Sequence, residues 1–182
     1  MEGMIYLEDG TVFKGQGFGA PATAVGELVF NTSMTGYQEI LTDPSYKGQI
    51  IDMTYPLVGN YGISEHDNES DKIHAFGLIV KDLCETPSNS MCVKTLTQWL
   101  DENGVPGVYD IDTRKITKII RKKGTVKCLI STEGISISEA KELCDKAVLK
   151  NDWMKETSVK EKTVIMPEHR NTEKAYRVAV MD

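Results

Sequence analysis

The sequence has no excess of basic residues, because 27 aspartates and glutamates outnumber 21 lysines and arginines and give a net charge of −6. Such a chain offers no strong cationic field to a nucleic-acid backbone or an anionic membrane surface. It also has no run of about 18 apolar residues and no charged-then-apolar leader before residues 4–7. We therefore expect neither nucleic acid nor membrane as a partner, and a cytoplasmic location.

Metal ligands are scarce, and the cysteines are not paired along the sequence. The three histidines, His66, His74 and His169, have neither H-E-x-x-H nor H-x-x-E-H spacing. No ligand set for a metal ion is therefore predicted. The chain of 182 residues is long enough to bury a core without disulfides. None of its cysteines forms a C-x-x-C pair, so we expect all of them to be free thiols: Cys84, Cys92, Cys128 and Cys144.

No cysteine has the sequence setting of a catalytic nucleophile, which needs a lowered pKa and an exposed position at a sharp turn or helix N-terminus. Cys84 has acidic neighbours, while Cys128 and Cys144 lie inside a predicted strand and a predicted helix. Cys92 lies near a predicted helix start but in no G-x-C-x-G elbow. The sequence has no G-x-S-x-G motif and no P-loop motif. The glycines at 15, 17 and 19 have the wrong spacing for a dinucleotide-binding site, and we expect them to serve a bend in the chain. We predict no catalytic residue on this chain.

The first half of the sequence has the pattern of strands joined by turns. Residues 4–7 and 11–17 flank Asp9-Gly10, a dipeptide typical of a β-hairpin. Apolar and β-branched segments at 26–32, 49–55 and 75–80 are predicted as buried strands. The loop at 56–71 is too long for a simple connector and is expected to wrap or bind something.

From about residue 90 the apolar residues recur with a helical period, which predicts three helices with short strands at 108–111 and 126–131 around the second. Asp112 or Thr113 is expected to cap the second helix, and Ser136-x-x-Glu139 is a capping box for the third. The basic residues from 114 to 127 would then form a solvated face. The apolar positions are Val93, Leu96 and Leu100; Ile116, Ile119 and Ile120; and Ala140, Leu143, Cys144, Ala147 and Val148.

The C-terminal part of the chain has a different composition. The helical period fades between residues 151 and 174, which are rich in Lys, Glu and Thr and have the character of a linker. An apolar segment follows at 176–181. From the pattern alone, this segment is either a closing strand of the main sheet or the first strand of a further domain that is truncated here.

A dense polar and aromatic run, NTSMTGYQEILTDPSY, occupies residues 31–46 and shows no core period. Within it, Asp43-Pro44-Ser45-Tyr46 suits a turn with proline at the second position, which leaves the Ser45 hydroxyl and nearby backbone N–H groups facing outward. From the chemistry alone, a turn residue bonded to its own backbone is the simpler interpretation of Ser45.

Five segments, in order along the chain, resemble the small, glutamine-using subunit of carbamoyl phosphate synthetase. The likeness covers essentially the whole chain, and the second half of the third segment contains Ser45. The segments are LEDGT at 7–11, GELVF at 26–30, the run at 31–46, TYPLVGNYG at 54–62 and IDTR at 111–114.

The resemblance implies an α/β fold of the three-layer β/β/α swivelling type. It implies an N-terminal small-subunit domain at 1–150, a linker at 151–175 and, at 176–182, the first strand of a truncated class I glutamine amidotransferase domain. In the family, that second domain carries the Cys, His and Glu that release ammonia from glutamine. None of the three has a counterpart here, so the fragment alone is expected to be inactive.

The resemblance also implies one substrate contact and several partners. Ser45 matches the family serine that reaches across the domain interface to the bound glutamine. The ammonia passes to a large subunit, which makes carbamoyl phosphate from bicarbonate and ATP for arginine and pyrimidine biosynthesis. This chain would help to dock that subunit. No cofactor is expected on this chain, whereas ATP and Mg²⁺ are expected on the large subunit.

Two other hypotheses remain from the sequence. The first is a free-standing, noncatalytic binding or interaction module that uses the same fold without a large-subunit partner. The second is a small thiol hydrolase that uses Cys92 and a histidine.

Overall fold

The computed structural model describes residues 1–150, 152–165 and 177–180. The strands are β1 Glu2–Leu7, β2 Val12–Gly19, β3 Thr23–Asn31, β4 Gln49–Met53, β5 Leu57–Val58, β6 Gly77–Ile79, β7 Asp82–Leu83, β8 Pro106–Tyr109 and β9 Lys127–Ser131. The helices are α1 Tyr37–Thr42, α2 Leu96–Glu102, α3 Thr113–Lys123, α4 Ile137–Lys146 and α5 Met154–Thr157. A short 3-10 helix spans Pro44–Tyr46. The expected mixed α/β class is confirmed.

Seven strands form a closed sheet in the order β1-β2-β8-β6-β4-β3-β9. The hairpin predicted at Asp9-Gly10 joins β1 to β2, with Tyr6 opposite Val12 and Gly10 at a φ of +86°. The adjacent strands β3, β4, β6 and β8 are parallel, and the other pairings in the closed sheet are antiparallel. The carboxyl ends of four neighbouring strands therefore lie at one edge of the sheet.

The core follows from the alternation of side chains along each strand. One cluster takes side chains from all seven strands of the closed sheet together with Ile116 and Ile120 of α3, so it fills the interior. The outer face of β4 and β6 packs against α1 and α2 in a second cluster. Ile50 belongs to the interior cluster and its neighbour Ile51 to the outer one. A third, smaller cluster joins β1 and β9 to α4.

The helix ends match the local sequence signals. The Asp112 side chain accepts a hydrogen bond from the backbone N–H of Lys115 at the start of α3, and Gly124 ends that helix. Ser136 and Glu139 form the reciprocal capping box of α4. Cys144 is buried against the sheet, as expected for a core thiol.

Two sequence-based expectations are wrong in detail. Val93 lies outside α2, because Thr95 and Gln98 form a capping box that starts the helix at Leu96. Leu143 and Val148 are exposed, because α4 turns only a narrow apolar stripe toward the sheet and ends at Lys146. The glycines at 15, 17 and 19 lie within β2, and the bend expected of them stays a prediction; a side chain at 15 would meet the Tyr109 carbonyl.

The run at 31–46 does contain a core period, contrary to expectation. Tyr37 and Leu41, four residues apart, are 2% and 0% exposed on the inner side of α1. The pattern was hidden because the polar residues Gln38 and Thr42 are also fully buried.

The chain divides into two compact units, Met1–Asn151 and Asp152–Asp182. The second contains α5, which falls within the predicted linker. Of the predicted strand at 176–182, residues 177–180 are exposed and outside any helix or strand, and the others lie outside the described residues. The linker and the truncated strand stay predictions. No helix in the described ranges is long and apolar enough to cross a membrane.

Candidate functional site

The long loop after β5 is fastened to α1 by buried polar side chains. The amide nitrogen of Gln38 donates to the backbone carbonyl of Ser64 and to the side-chain oxygen of Asn68, both at 2.7 Å. Its amide oxygen accepts from the backbone N–H of Ser64 at 2.9 Å. An amide buried with its hydrogen bonds satisfied holds a single geometry. Gln38 therefore fixes the loop against the helix.

Two tyrosines make a second attachment between the loop and α1. The rings of Tyr37 and Tyr61 stack with centroids 4.3 Å apart. The Tyr61 hydroxyl accepts hydrogen bonds from the backbone N–H groups of Gly36 and Tyr37, and so caps the start of the helix. The Tyr37 hydroxyl donates to the carbonyl of Gly62 at 2.6 Å. Burial raises the pKa of both phenols, so both are protonated near neutral pH.

The end of α1 is tied to the same loop. The Thr42 hydroxyl accepts from the backbone N–H of Glu69 at 2.9 Å, and the Ser70 hydroxyl donates to the Thr42 carbonyl at 2.6 Å. His74 lies 3.1 Å from the Ser70 hydroxyl through Nε2. Burial lowers the pKa of His74, with Lys47 and Lys72 acting in the same direction. The loop expected to wrap or bind something is thus held along the length of α1.

Ser45 lies on the exposed turn that follows this anchored helix. Its backbone N–H donates to Asp43 Oδ1 at 2.8 Å, and the Asp43 side chain caps the 3-10 helix. The neighbouring Tyr46 hydroxyl accepts from the side-chain amide of Asn31 at 2.9 Å, which ties the turn to the end of β3. The Ser45 side chain is exposed, and its hydroxyl has no hydrogen-bond partner in the described part of the chain. A fixed backbone therefore presents a hydroxyl outward.

The four cysteines are free thiols. Cys92 Sγ donates to the backbone carbonyl of Lys94 at 3.3 Å, and Cys84 Sγ to that of Thr86 at 3.5 Å. Burial raises the pKa of the Cys128 and Cys144 thiols. The two half-buried thiols, Cys84 and Cys92, thus bond backbone carbonyls, and neither is hydrogen-bonded to a histidine among the described residues. The absence of a catalytic residue stays a prediction.

In the ranges that the structure describes, no group of three or more His, Cys, Asp and Glu side chains is placed to hold a metal ion. His169 lies outside those ranges. One carboxyl is fully buried: Asp52 on β4 accepts a hydrogen bond from the Thr117 hydroxyl at 3.1 Å through Oδ2, while Oδ1 has no partner among the described atoms. Neither this carboxyl nor the polar contacts of α1 were recognised from the sequence. The available signal in the sequence was a single Asp among the apolar residues at 50–53.

Residues 5–130 match the family model described as "Carbamoyl-phosphate synthase small chain, CPSase domain". The chain belongs to this family. The carbamoyl phosphate synthase small chain of Clostridium acetobutylicum is 55% identical over 161 residues, which are 88% of this chain and 46% of that protein. The small chain of Fusobacterium nucleatum is 52% identical over 157 residues, or 86% of this chain and 44% of that protein.

A third relative comes from an organism of the genus Methanococcus. The carbamoyl phosphate synthase small chain of Methanococcus vannielii is 56% identical over 142 residues, which are 78% of this chain and 36% of that protein. The chain thus spans less than half the length of these relatives. Among solved structures, an aminopeptidase from Aneurinibacillus sp. strain AM-1 aligns with 71% of this chain and 30% of the aminopeptidase chain, at 15% sequence identity. The TM-score of 0.40 is too low to define a shared fold.

Proposed function

We propose that the chain is the N-terminal domain of the small subunit of glutamine-hydrolysing carbamoyl phosphate synthetase. It contributes one wall of the glutamine site and helps to dock the large subunit, which binds ATP and Mg²⁺ and makes carbamoyl phosphate from bicarbonate. The reacting Cys, with its His and Glu, belongs to a C-terminal amidotransferase domain. The complex serves arginine and pyrimidine biosynthesis. The family match over residues 5–130 supports this proposal.

The single observation that carries the role in the glutamine site is the Ser45 turn. Its backbone is held by Asp43 and its hydroxyl faces solvent. A hydroxyl on a backbone that is fixed before the substrate arrives can orient the glutamine amide for attack with only its own side-chain rotamer left to order. Ser45 is therefore a substrate-positioning residue supplied across a domain interface.

The proposal extends to the architecture. The closed sheet supplies two β layers and the helices packed outside it supply the third, which is compatible with the three-layer β/β/α swivelling fold. Residues 151–175 then link this domain to the amidotransferase domain, whose first strand starts at 176.

The test uses the small subunit with both domains, assembled with the large subunit. We expect Ser45→Ala to lower kcat/KM for glutamine by about tenfold or more and to leave ammonia-driven synthesis intact, because ammonia bypasses the glutamine site. Ser33→Ala is the matched control. Ser33 is also exposed, and its N–H bonds the Asn31 side chain as that of Ser45 bonds Asp43. An equal loss with glutamine and with ammonia would assign Ser45 to folding or docking.

The chain alone is expected to release no ammonia from glutamine. Turnover by the purified chain that survives Cys92→Ala would contradict a nucleophile located in another domain. Turnover abolished by Cys92→Ala would instead support the thiol hydrolase. Failure of the two-domain protein to co-purify with a synthetase large subunit would favour the free-standing module.

A further inference from the structure

A cavity of about 480 Å³ lies beside α3. Its volume falls within the range of about 300–1,000 Å³ that is typical of small-molecule sites. The cavity is lined by threonines, basic residues and one proline: Thr32, Thr54, Pro56, Lys81, Thr113, Arg114, Thr117, Lys118 and Arg121.

The cavity lies where the parallel part of the sheet ends. Thr32 directly follows β3, Thr54 directly follows β4, and Lys81 comes two residues after β6. The chain leaving β8 enters α3, whose first residue, Thr113, also lines the cavity. Ligands of α/β proteins bind preferentially outside the carboxyl ends of parallel strands. The first turn of α3 adds its positive dipole end, while the N–H groups of Thr113 and Lys115 are already bonded to Ile111 and Asp112.

The charge of the cavity is opposite to that of the chain. Arg114, Lys118 and Arg121 follow one another at i, i+4 and i+7 on α3, and Lys81 adds a fourth cation from another element. None of the described lining residues is acidic. In a chain of net charge −6, such a cluster concentrates anions locally.

The carboxyl groups of Asp82, Asp112 and Asp52 do not cancel this field. Asp82 lies 4.0 Å from the Lys81 ammonium in an exposed pair, which is weak. Asp112 caps α3 and keeps its negative charge, which offsets part of the field but leaves the four lining cations in excess. Asp52 contacts the cavity wall only through the Thr117 hydroxyl, and burial raises its pKa to about 8, so that it is largely neutral at pH 7.

We propose that this cavity binds a small molecule through a phosphate group, with Arg114 and Arg121 as the principal contacts and Lys81 and Lys118 as supporting charges. Four cations match a group of two or more negative charges better than a single carboxylate, and Arg binds phosphate oxygens in pairs. The Thr54 hydroxyl is an additional donor. This proposal requires neither the glutamine role of Ser45 nor a large-subunit partner.

The test is isothermal titration of the whole 182-residue chain in a low-salt chloride buffer. The probes are inorganic phosphate and phenyl phosphate, which separate a free anion from an organic phosphate. We expect saturable binding of at least one probe at one site per chain, weakened by added salt. Arg114→Gln should weaken it about tenfold, the usual worth of a hydrogen bond to a charged group. Lys141→Gln, which removes an exposed charge from α4, is the matched control and should leave affinity unchanged.

Arg121→Gln gives a second, independent variant, and the helical circular dichroism of each variant confirms that it is folded. Absence of saturable binding of both probes would overturn the proposal, as would equal weakening by Arg114→Gln and Lys141→Gln, since that indicates only general attraction. Loss of large-subunit binding in Arg114→Gln without any phosphate binding would also overturn it and would reassign the cations to protein docking.

Discussion

Two regions use polar residues in opposite ways: the α1 region, which is α1 with the loop bonded to it, and the α3 region, which is α3 with the cavity beside it. Around α1, neutral amides and hydroxyls are buried and bonded to a loop that lies 24 or more residues away along the chain. Along α3, charged side chains are exposed and converge on a cavity. Buried bonds fix geometry, whereas exposed charges create a field that salt can screen. The first region is thus suited to positioning one group, and the second to attracting an anion.

The largest change in stability is expected at Gln38, where a substitution tests whether buried hydrogen bonds hold α1. Gln38→Leu keeps the volume but leaves the Ser64 N–H and carbonyl without partners, so we expect a loss of about 3 kcal/mol in the free energy of unfolding. Urea unfolding measures this loss. Gln16→Leu, at an exposed position of β2, should change the free energy of unfolding by less than about 0.5 kcal/mol. A similar small change at both positions would show that α1 is not held by its buried amide.

A second test concerns the buried carboxyl of Asp52, which bonds Thr117 of α3. Burial raises the pKa of Asp52 to about 8, against the lowering effect of the Thr117 hydrogen bond and with a smaller rise from Asp112. The folded state therefore keeps a proton that the unfolded state releases above about pH 4. Stability should fall as pH rises through this window and level off above about pH 8.

Asp52→Asn removes this titration and supplies the control. Between pH 5 and pH 7, wild type should lose about 2 kcal/mol more of its free energy of unfolding than the variant loses. Urea unfolding at the two pH values measures the difference. Parallel pH profiles for the two proteins would mean that Asp52 is ionised in the folded state.

Tyr61→Phe sharpens the comparison by removing one hydroxyl from the α1 region. The backbone N–H groups of Gly36 and Tyr37 lose their acceptor, so we expect a loss of about 1–2 kcal/mol in the free energy of unfolding. Tyr55→Phe, at an exposed tyrosine, is the matched control and should be neutral. Thermal or urea unfolding of Tyr61→Phe and Tyr55→Phe measures the two losses. Equal stability of both variants would contradict a capping role for Tyr61.

The smallest effect is expected at the surface pair of Asp9 with Lys123, at the end of α3. The hydrogen bond from Lys123 lowers the pKa of Asp9 to about 2, with further help from Thr11. The stabilisation is present above about pH 4 and disappears as pH falls through about 2. Because both side chains are partly exposed, Asp9→Asn should cost at most about 1 kcal/mol at pH 7, and 1 M salt should reduce that cost. A salt-independent loss would indicate packing instead of charge.

The features that could be predicted from the sequence depend on neighbours along the chain. The hairpin at Gly10, the capping of α3 by Asp112 and the capping box at Ser136 all form within a few residues. The outward Ser45 turn is of the same kind, because Asp43 and Pro44 shape it. Its proposed role came from the resemblance, not from its chemistry.

The features that were missed depend on residues far apart in the chain. Helix α1 was not predicted, because the burial of Gln38 is permitted only by partners in the loop at 64–68. The cations of α3 were interpreted as a solvated face, and they are indeed exposed. Their convergence with Lys81 and Thr54 follows from the parallel pairing of β3, β4 and β6, which no local pattern specifies.

By itself, the sequence determined the family, the helix caps and the shape of the Ser45 turn, since each is carried by residues adjacent along the chain. Only the tertiary structure decided the strand order of the closed sheet, the partners of the buried amides and the placing of four cations around one cavity. The physical reason is that strand pairing and polar burial draw their free energy from contacts between distant segments, which local propensity does not contain.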